Sequence, residues 1–381
     1  MGGAGVRGVA GRCGAGRHAH TRLGGRTTGC RRSAGGGVRG FDSGGRGAAI
    51  AARAVPGELV VVILTVTPNP AYDVTYRVER MERGGAQRVR AVEVRPGGKG
   101  VNVARVLNVT GTYAVASGLA DNDFAEFAAE AVPVDFVAGL PRVRRTLVVA
   151  EADGTATGLW EPGATVRDSG VIDTLMTRVR ALLPQTRGLV ISGSLPGGVR
   201  PSLPAELARM AVAAGVPVIC DVDGEALRYA VAVAGVVLMP NTAELRELTG
   251  FATHSATEVV RVVHPLLSNG VRAVVATRGA DGMVAVTADG AWFARLPEPI
   301  TGNPTGAGDA AAAAVISHLA QAGSAVVSPW PALLADAVAT SAAAVAAPVA
   351  GELDLSLRAH LLRKVRVYPV SAPNSQEFSC P

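Results

Sequence analysis

Short apolar runs alternate with longer amphipathic segments along most of this chain, from residue 59 onward. The apolar runs have the length of buried strands, and the segments between them place apolar residues at helical spacing. Strands joined by helices run parallel and are covered by helices on both faces. The pattern therefore predicts an α/β fold with a mainly parallel central sheet and a ligand site at the strand carboxyl ends. The predicted strands are Leu59–Val66, Ala114–Leu119, Gly188–Ser192, Val216–Asp221, Val236–Met239 and Arg272–Thr277.

Two stretches differ from this pattern of strands and helices, because apolar and polar residues alternate in them with period two, as in half-buried strands. They are Tyr72–Val94 and Thr146–Glu161, and the second contains Asp153-Gly154, a common hairpin turn. We expect these stretches to form a small antiparallel sheet beside the main one. Such a sheet could cover a bound substrate and keep water out, although an edge extension without function would produce the same pattern.

The composition excludes several classes of protein. Of the 381 residues, 48% are hydrophobic, enough for a sizeable core, but only 4% are aromatic, which argues against a base-stacking nucleic-acid surface. The 4 cysteines are scattered without metal-ligand spacing, so no disulfide framework is expected. No apolar run approaches the roughly 20 residues of a membrane span, so we expect a soluble, cytoplasmic protein that has no membrane partner.

The basic excess of the chain lies at its N-terminus. Of the 37 basic and 31 acidic residues, ten arginines but only one acid, Asp42, fall within residues 1–57, so the remainder is mildly acidic. This Gly/Arg-rich segment has no apolar periodicity, and we expect it to be a disordered extension. A transit peptide, a start codon placed too far upstream and an RNA-binding tail are the alternatives, although nucleic acid is not the expected partner.

A carboxylate stands at the start of an alanine-rich helix near the C-terminal end. The motif Gly306–Asp309 (GAGD) directly precedes an apolar stretch that runs from Ala310 to Ala320. Small residues let a ligand approach the N–H groups of the first turn, and the helix dipole favours negative charge there. The motif predicts an anion site with a base beside it, although an ordinary helix cap would look the same.

Lysine is rare in this chain, which uses arginine for almost every cation. The only lysines are Lys99 and Lys364, and Lys99 lies within the glycine-rich motif Pro96–Asn102 (PGGKGVN), directly before a helical pattern. The motif favours a second helix N-terminus whose amides and ammonium group face an anion. An exposed lysine in a turn is the alternative, and the spacing excludes a Walker A loop.

Six motifs occur together in an order that is typical of a known family. They are Thr67–Asp73 (TPNPAYD), Pro96–Asn102 (PGGKGVN), Gly193–Pro196 (GSLP), Pro240–Glu244 (PNTAE), Thr277–Gly282 (TRGADG) and Gly306–Asp309 (GAGD). With them the chain resembles the PfkB (ribokinase-like) carbohydrate kinases, and within them the branch of the 1-phosphofructokinases and tagatose-6-phosphate kinases. The resemblance covers residues 59–362.

This resemblance implies a three-layer ribokinase-like fold with a small β lid. The kinase domain would span residues 58–365, with the lid formed from about residues 72–95 and 143–162, and a flexible tail would follow at residues 366–381. The resemblance also implies ATP and Mg²⁺ as cofactors, and a homodimer that forms through the lid.

The resemblance further assigns roles to particular residues. Asp309 would be the catalytic base, and Gly306, Ala307 and Gly308 would form the anion hole for the transferring phosphoryl group. Glu244 would orient Mg²⁺ through water. The nucleotide would be bound by Gly308, Asn241, Thr277, Arg278, Gly279, Ala280, Asp281 and Gly282.

On the acceptor side, the sugar would lie against Asp73, Gly98 and Asn102, with Lys99 and Arg144 on the phosphate that it already carries. A doubly basic site favours a phosphorylated sugar over a neutral one such as ribose. The expected reaction is therefore ATP-dependent phosphorylation of a ketohexose phosphate, with fructose 1-phosphate giving fructose 1,6-bisphosphate. Tagatose 6-phosphate, fructose 6-phosphate and a weakly active sensor of nucleotide or sugar phosphate are the alternatives.

Several positions depart from the pattern of this branch. Met239 and Gly158 stand where the branch usually has Lys, Thr146 and Trp160 stand where it has Asn, and Asp223 stands where it has Ser. Losing polar groups around the sugar would change which sugar phosphate binds, or would lower the activity.

Overall fold

The apolar runs predicted as strands form the middle of a large mixed sheet. The computed structural model describes residues 62–321 and 329–371. The strands in this part are β1 (Val62–Thr67), β2 (Ala71–Arg77), β3 (Ala91–Gly97), β4 (Ala114–Ala120), β5 (Val134–Ala138), β6 (Arg144–Ala150), β7 (Ala156–Trp160), β8 (Thr186–Ser192), β9 (Val218–Asp221), β10 (Val237–Leu238), β11 (Ala273–Thr277), β12 (Met283–Thr287), β13 (Gly290–Arg295) and β14 (Arg366–Pro369). The helices are α1 (Lys99–Val109), α2 (Asn122–Ala129), α3 (Gly170–Leu182), α4 (Leu203–Ala213), α5 (Gly224–Ala230), α6 (Thr242–Thr249), α7 (Ala256–Leu267), α8 (Ala307–Gln321), α9 (Trp330–Val345) and α10 (Leu355–Leu362).

The large sheet has the strand order β14-β13-β12-β11-β10-β9-β8-β1-β4-β5. From β11 to β5 every pairing is parallel, and all six predicted strands lie in this part. A chain that returns through a helix re-enters the sheet in the same direction, which accounts for the parallel order. β12 and β13 are antiparallel because only Ala288 and Asp289 connect them, and β14 adds an antiparallel strand at the edge.

Local sequence signals set the starts of several helices near the carboxyl edge of this sheet. Asp121 caps α2 by accepting the N–H of Phe124. Asn241 begins α6 with a reciprocal capping box to Glu244, in which each side chain accepts the other residue's N–H. Behind this edge, the alanine-rich helices α8 and α9 pack against each other with few large side chains between them. The capped helix starts and the packing of α8 against α9 fix the positions of the polar residues at this edge.

The predicted lid is a four-stranded sheet in the order β3-β2-β6-β7. β2 pairs with β3, and β6 pairs with β7, in the antiparallel sense that the alternating pattern predicts. The central pair, β2 with β6, runs parallel, which the pattern did not indicate. The chain path explains it, because both strands leave the same carboxyl edge of the large sheet: β2 follows β1, and β6 follows β5, each after a short loop.

Residues 366–369, predicted as the start of a flexible tail, form a strand. Arg366–Pro369 form β14, and Tyr368 pairs with Phe293 of β13, the two ring centroids lying 6.3 Å apart. This edge strand has only four residues, which is too short for a period to be read from the sequence.

Two other expectations concern regions that the structure leaves largely undescribed. The Gly/Arg-rich extension at residues 1–57 and the last ten residues, 372–381, both lie outside the described ranges. Within residues 62–321 and 329–371, no helix has the length and apolar character to cross a bilayer. The cytoplasmic location stays a prediction.

Candidate active site

A cleft of about 680 Å³ opens between the carboxyl edge of the large sheet and the lid. Strands and helices that are far apart along the chain end at this edge, so their terminal residues meet there. The predicted site residues that line the cleft are Asp73, Gly98, Lys99, Asn102, Arg144, Asn241, Glu244, Thr277, Gly306, Gly308 and Asp309. The structure therefore brings the sugar-side, phosphate-side and nucleotide-side residues into one cavity.

Asp309 lies in the first turn of α8 with only 6% of its surface exposed. Its Oδ2 accepts a hydrogen bond from Asn102 Nδ2 at 3.0 Å. Burial, together with the negative charge of Asp221, raises the pKa of Asp309 to about 7, while the Lys99 ammonium and the Asn102 hydrogen bond work in the opposite direction. A carboxylate with this pKa can accept a proton near neutral pH, as a general base must.

The amides beside Asp309 are not equivalent. The N–H of Ala307 donates to the carbonyl of Pro304 at 3.2 Å, whereas the N–H groups of Gly308 and Asp309 have no backbone acceptor among the described residues. A methyl group on Gly308 would meet no atom within 4 Å, so the space in front of it is open. Gly308 therefore has the free N–H expected of an anion site, and the Ala307 amide is already engaged.

Lys99, at the start of α1, is paired within the cleft. Its Nζ donates to Asp221 Oδ1 at 2.8 Å, and the Asp221 side chain is only 9% exposed. Burial disfavours the ammonium, but the charges of Asp221, Glu244 and Asp309 outweigh that effect and raise the pKa of Lys99 above its usual value. Lys99 therefore stays charged and lies among carboxylates at the centre of the cleft, between the lid and α6.

Neighbouring residues of the lid strands face opposite sides. Asp73, Thr75 and Thr146 face the cleft side, together with Glu93 and Arg95. The outer side carries Tyr72, Val74, Tyr76, Val92, Val94, Arg145, Leu147 and Leu159. This is the period-two alternation seen in the sequence. One sheet therefore presents a polar face to the cleft and a largely apolar face outward.

On the cleft side of the lid, Asp73 and Thr146 are cross-strand partners. Thr146 Oγ1 donates to Asp73 Oδ1 at 2.5 Å. Burial raises the pKa of Asp73, although hydrogen bonds from Thr146 and Asn102 and the nearby guanidinium groups of Arg105 and Arg144 favour its ionised form. Thr146, a departure from the family pattern, thus keeps a hydrogen-bond donor beside the carboxylate.

Close packing around Asp73 depends on two glycines. A Cβ at Gly97 would collide with the Asp73 carboxylate, and Gly98, at φ 94°, lies against the backbone of Pro70. No side chain fits at either position without moving Asp73 or the β1–β2 loop. These glycines therefore bring the start of α1 against the sugar-side residues.

Arg144 lies at the lid end of the cleft with part of its guanidinium unpaired. Nη1 donates to the Glu161 carbonyl at 3.0 Å, but the buried Nε has no hydrogen-bond partner. Burial lowers the pKa of Arg144, against the opposing charges of Asp73, Asp223 and Glu161. A half-buried guanidinium whose buried Nε–H is unused is suited to an anionic ligand, which would complete its hydrogen bonds.

At the other end of the cleft, Asn241 and Glu244 form the capping box of α6. The Asn241 N–H donates to Glu244 Oε2 and the Glu244 N–H donates to Asn241 Oδ1, both at 2.9 Å. Burial raises the pKa of Glu244, while Lys99 favours its charged form. Glu244 therefore caps a helix and lines the cleft at once. Thr277 lies beside them, bridged to Asn241.

The turn Arg278–Gly282 is the one predicted segment that does not line the cleft. It leaves β11 as a short 3-10 turn, and Arg278 Nη2 donates to the His254 carbonyl at 2.6 Å. The guanidinium also lies over the Phe293 ring, 5.5 Å from its centroid. Of the TRGADG motif, only Thr277 faces the cavity.

Sequence reasoning missed several residues of the cleft. Asp221 ends β9 and pairs with Lys99, and its position at the end of a predicted strand was the available signal. Asn69 donates to Ser194 Oγ at 3.2 Å and joins two of the motifs. Met239 and Trp160, seen as departures in the sequence, both line the cleft. Trp160 is 65% exposed and borders the outer face of the lid as well.

Comparisons with known proteins agree with this arrangement. The chain is 34% identical over 270 residues to a 1-phosphofructokinase of Xanthomonas campestris pv. campestris, an alignment that covers 67% of this chain and 83% of that one. Phosphofructokinase-2 of Escherichia coli, solved with fructose-6-phosphate, superposes with a TM-score of 0.70 at 26% identity over 80% of this chain and 98% of that one. A possible 1-phosphofructokinase of Thermotoga maritima shares the fold, with a TM-score of 0.73 at 23% identity over 81% and 100% of the two chains.

The family model of the pfkB family carbohydrate kinases matches residues 59–355. This range holds the large sheet from β1 to β13, the lid and every residue of the cleft. The predicted ribokinase-like fold, with a large mainly parallel sheet between helices and a small second sheet, is confirmed. A kinase of this kind uses ATP as the phosphoryl donor. The chain therefore belongs to the PfkB family of carbohydrate kinases, and it is a sugar-phosphate kinase.

Proposed function

We propose that this protein transfers the γ-phosphoryl group of ATP to a hydroxyl of a ketohexose phosphate, with fructose 1-phosphate as the acceptor and fructose 1,6-bisphosphate as the product. The observation that carries the proposal is Asp309, a buried carboxylate with a pKa near neutrality at a helix start, between a lid and a nucleotide-side edge. The 1-phosphofructokinase relative supports the choice of acceptor.

Asp309 acts as the general base in this proposal. It takes the proton of the acceptor hydroxyl as that oxygen bonds to the γ-phosphorus, and the bond from phosphorus to the bridging oxygen of ADP breaks. The Gly308 N–H stabilises charge on the transferring group, while Gly306 and Ala307 shape the turn before it. The Lys99 ammonium, held among three carboxylates, lies where it can also face that group.

The acceptor binds on the lid side. Asp73 accepts hydrogen bonds from sugar hydroxyls, with Asn102 and the Gly98 backbone beside it, and Arg144 holds the phosphate that the sugar already carries. The sequence-based assignment gave Lys99 to that phosphate as well. Because Lys99 is paired with Asp221 and surrounded by cleft carboxylates, Arg144 carries this contact with less help from Lys99 than the sequence indicated.

The nucleotide binds on the side of α6 and β11, at Asn241, Thr277 and Gly308, with the turn of Arg278, Gly279, Ala280, Asp281 and Gly282 at the outer end. The donor set fits Mg²⁺, which favours one or two carboxylates, waters and substrate phosphates over a closed protein cage. Within the described residues, no group of three or more His, Cys, Asp or Glu side chains is placed to hold a metal ion by itself. Glu244 would hold Mg²⁺ through water, and the ion would neutralise charge on the phosphates.

Fructose 6-phosphate and tagatose 6-phosphate are the alternative acceptors. The E. coli relative solved with fructose-6-phosphate supports the first of these alternatives. The cleft has lost a polar group at Met239, and Trp160 places an indole where a polar side chain is usual, while Gly158 lies next to the Trp160 ring. A weakly active sensor of nucleotide or sugar phosphate is the second candidate function, and these positions are the observation that favours it.

A homodimer through the lid is part of the proposal. The outer lid face holds large apolar side chains in water: Val92 is 57% exposed, Val94 47% and Leu159 52%. Contiguous exposed apolar side chains mark association surfaces more often than isolated ones do. A second copy would cover this face without closing the cleft on its other side.

The test is ATP consumption by the purified protein with Mg²⁺ and each of fructose 1-phosphate, fructose 6-phosphate, tagatose 6-phosphate, fructose and ribose. We expect strong turnover on fructose 1-phosphate and a loss of several orders of magnitude in Asp309→Asn, with ATP binding retained. Turnover of Asp309→Asn near that of the wild type would contradict the role of Asp309. Nucleotide binding without turnover on any of the five acceptors would favour the sensor.

A further inference from the structure

Arg105 lies one helical turn after Asn102 on α1, behind the residues that line the cleft. Its Nη1 donates to Asn102 Oδ1 and to the Ala350 carbonyl, each at 3.3 Å. Its Nη2 donates to the Pro96 carbonyl at 2.7 Å. The guanidinium therefore ties α1 to the end of β3 and to the segment after α9. No part of the proposed mechanism uses it.

The contact with Arg105 determines which end of the Asn102 amide faces the cleft. A guanidinium has donors and no acceptor, so only the amide oxygen can face it favourably. The amide nitrogen then turns toward Asp309 and donates to its Oδ2 at 3.0 Å. If the amide were reversed, Nδ2 would face the guanidinium and Oδ1 would face the carboxylate, so two hydrogen bonds would become two repulsive contacts.

We propose that Arg105 is a positioning residue, which holds the Asn102 amide in the orientation that donates to Asp309. The proposal rests on the role of Asp309 as base that is proposed above. Asn102 also favours the ionised form of Asp73, so the same amide acts on the carboxylate of the sugar side and on that of the phosphoryl side. A residue outside the cleft thus controls a hydrogen bond between its two ends.

The surroundings of Arg105 leave it little freedom. A Cβ at Gly351, which has φ 77°, would lie 2.7 Å from Arg105 Nη1 and 3.1 Å from Asn102 Oδ1. The chain after α9 therefore packs directly on this hydrogen bond. With two backbone carbonyls accepting from the guanidinium as well, the side chain is held in one position.

The amide matters because few groups favour the ionised form of the base. Burial raises the pKa of Asp309, and Asp221 on β9 and Asp73 on β2 act in the same direction. Against them stand the Lys99 ammonium and the Asn102 hydrogen bond, both from α1. An amide that is free to rotate would spend part of its time with oxygen toward Asp309, which would raise the pKa of Asp309 further and leave less of the base ionised below that pKa.

The experiment is the pH profile of kcat for Arg105→Met, measured with ATP, Mg²⁺ and the best acceptor between pH 5.5 and 9. We expect kcat to fall about tenfold at pH 6 but about threefold or less at pH 8.5, because the acidic midpoint moves upward. Arg105→Lys should restore most of the profile, since an ammonium is also a donor without an acceptor. Arg178→Met, which removes a half-buried arginine from Asp135, should leave the midpoint in place.

A second background separates positioning from a general structural role. In Asn102→Ala there is no amide to orient, so adding Arg105→Met should not move the acidic midpoint again. A midpoint unchanged in Arg105→Met, or a shift that persists in the Asn102→Ala background, would overturn the proposal. The proposed function is tested separately by Asp309→Asn. If the role of Asp309 as base is wrong, this variant turns over normally. If only the positioning role of Arg105 is wrong, Asp309→Asn remains inactive.

Discussion

Lys99 Nζ donates to Asp221 Oδ1 over 2.8 Å, across 122 positions of the chain. The pair joins the start of α1 to the end of β9, and Asp221 has little contact with water, since its side chain is 9% exposed. The single lysine of the glycine motif is therefore both a charge available to the reaction and the partner of a buried carboxylate. Its removal has a structural cost that is separate from any effect on the substrate.

We predict that Lys99→Met destabilises the protein because it leaves the Asp221 carboxylate buried and unpaired. The loss of unfolding free energy should be about 1–3 kcal/mol, toward the low end because the Lys99 side chain is 37% exposed and partly screened. Asp221→Asn in the same chain removes the unpaired charge and should restore much of the loss. Urea unfolding at pH 7 measures the unfolding free energy of both variants. If Lys99→Met and Lys99→Met/Asp221→Asn are equally stable, the unpaired Asp221 carboxylate is not the cause of the destabilisation.

Asp309→Asn should make the protein more stable above neutral pH while abolishing turnover. The folded state raises the pKa of Asp309 from 3.8 to about 7, so it binds this proton more tightly than the unfolded state does. Stability is therefore lost as pH rises from about 4 through 7, and an amide does not suffer that loss. The gain should be on the order of 2–4 kcal/mol at pH 8 and much smaller at pH 4.5.

Urea unfolding at these two pH values is the measurement, with Asp281→Asn as the control, since Asp281 has a largely exposed side chain. A gain that does not depend on pH would contradict the burial of an ionised Asp309.

Arg144→Met should raise KM for the sugar phosphate by about ten- to a hundredfold and change KM for ATP little, because it removes a half-buried charged donor from the acceptor side only. The next residue supplies the matched control. Arg145 lies on the outer face of the same strand, so Arg145→Met removes the same charge without touching the cleft. Steady-state kinetics with fructose 1-phosphate and with free fructose show whether the effect depends on the phosphate of the sugar. An equal rise in KM for both sugars would argue against a contact between Arg144 and that phosphate.

Val94→Asp should separate the proposed dimer into monomers, since it places a charge in the apolar outer face of the lid. Val109→Asp is the control, because Val109 is similarly exposed, at 42% against 47%, but ends α1 away from the lid. Sedimentation velocity between about 1 and 50 μM gives the answer. A wild type that stays monomeric across this range would rule out the lid as a stable interface.

Much of the fold could be read from periodicity, because strand and helix spacing are local properties. All six predicted strands occur, and the lid alternates as expected. The parallel pairing of β2 and β6 could not be foreseen, since it depends on two chain segments leaving the same sheet edge. The edge strand β14 has only four residues, so its sequence shows no period that would distinguish it from a tail.

The site was predictable where glycine motifs mark it, and less so where distant side chains complete it. Asp309, Lys99 and Asn241 follow from motifs in which backbone geometry constrains the sequence. Asp221 was marked only by its position at the end of a predicted strand, and no motif indicated its pairing with Lys99 or the contact of Arg105 with Asn102. Met239 and Trp160 were noticed as departures, but only the cleft shows that they face it.

The alternation along β2, β3 and β6 has a consequence for how this family can vary. Inserting or deleting one residue within any of these strands would exchange its two faces, so that apolar side chains would enter the acceptor site and carboxylates would cover the outer surface. We therefore expect length changes to be tolerated only in the connections, such as residues 78–90 between β2 and β3, which are largely exposed. The residues that recognise the sugar and those that form the outer surface of the lid lie on the same strands, so we expect them to change together.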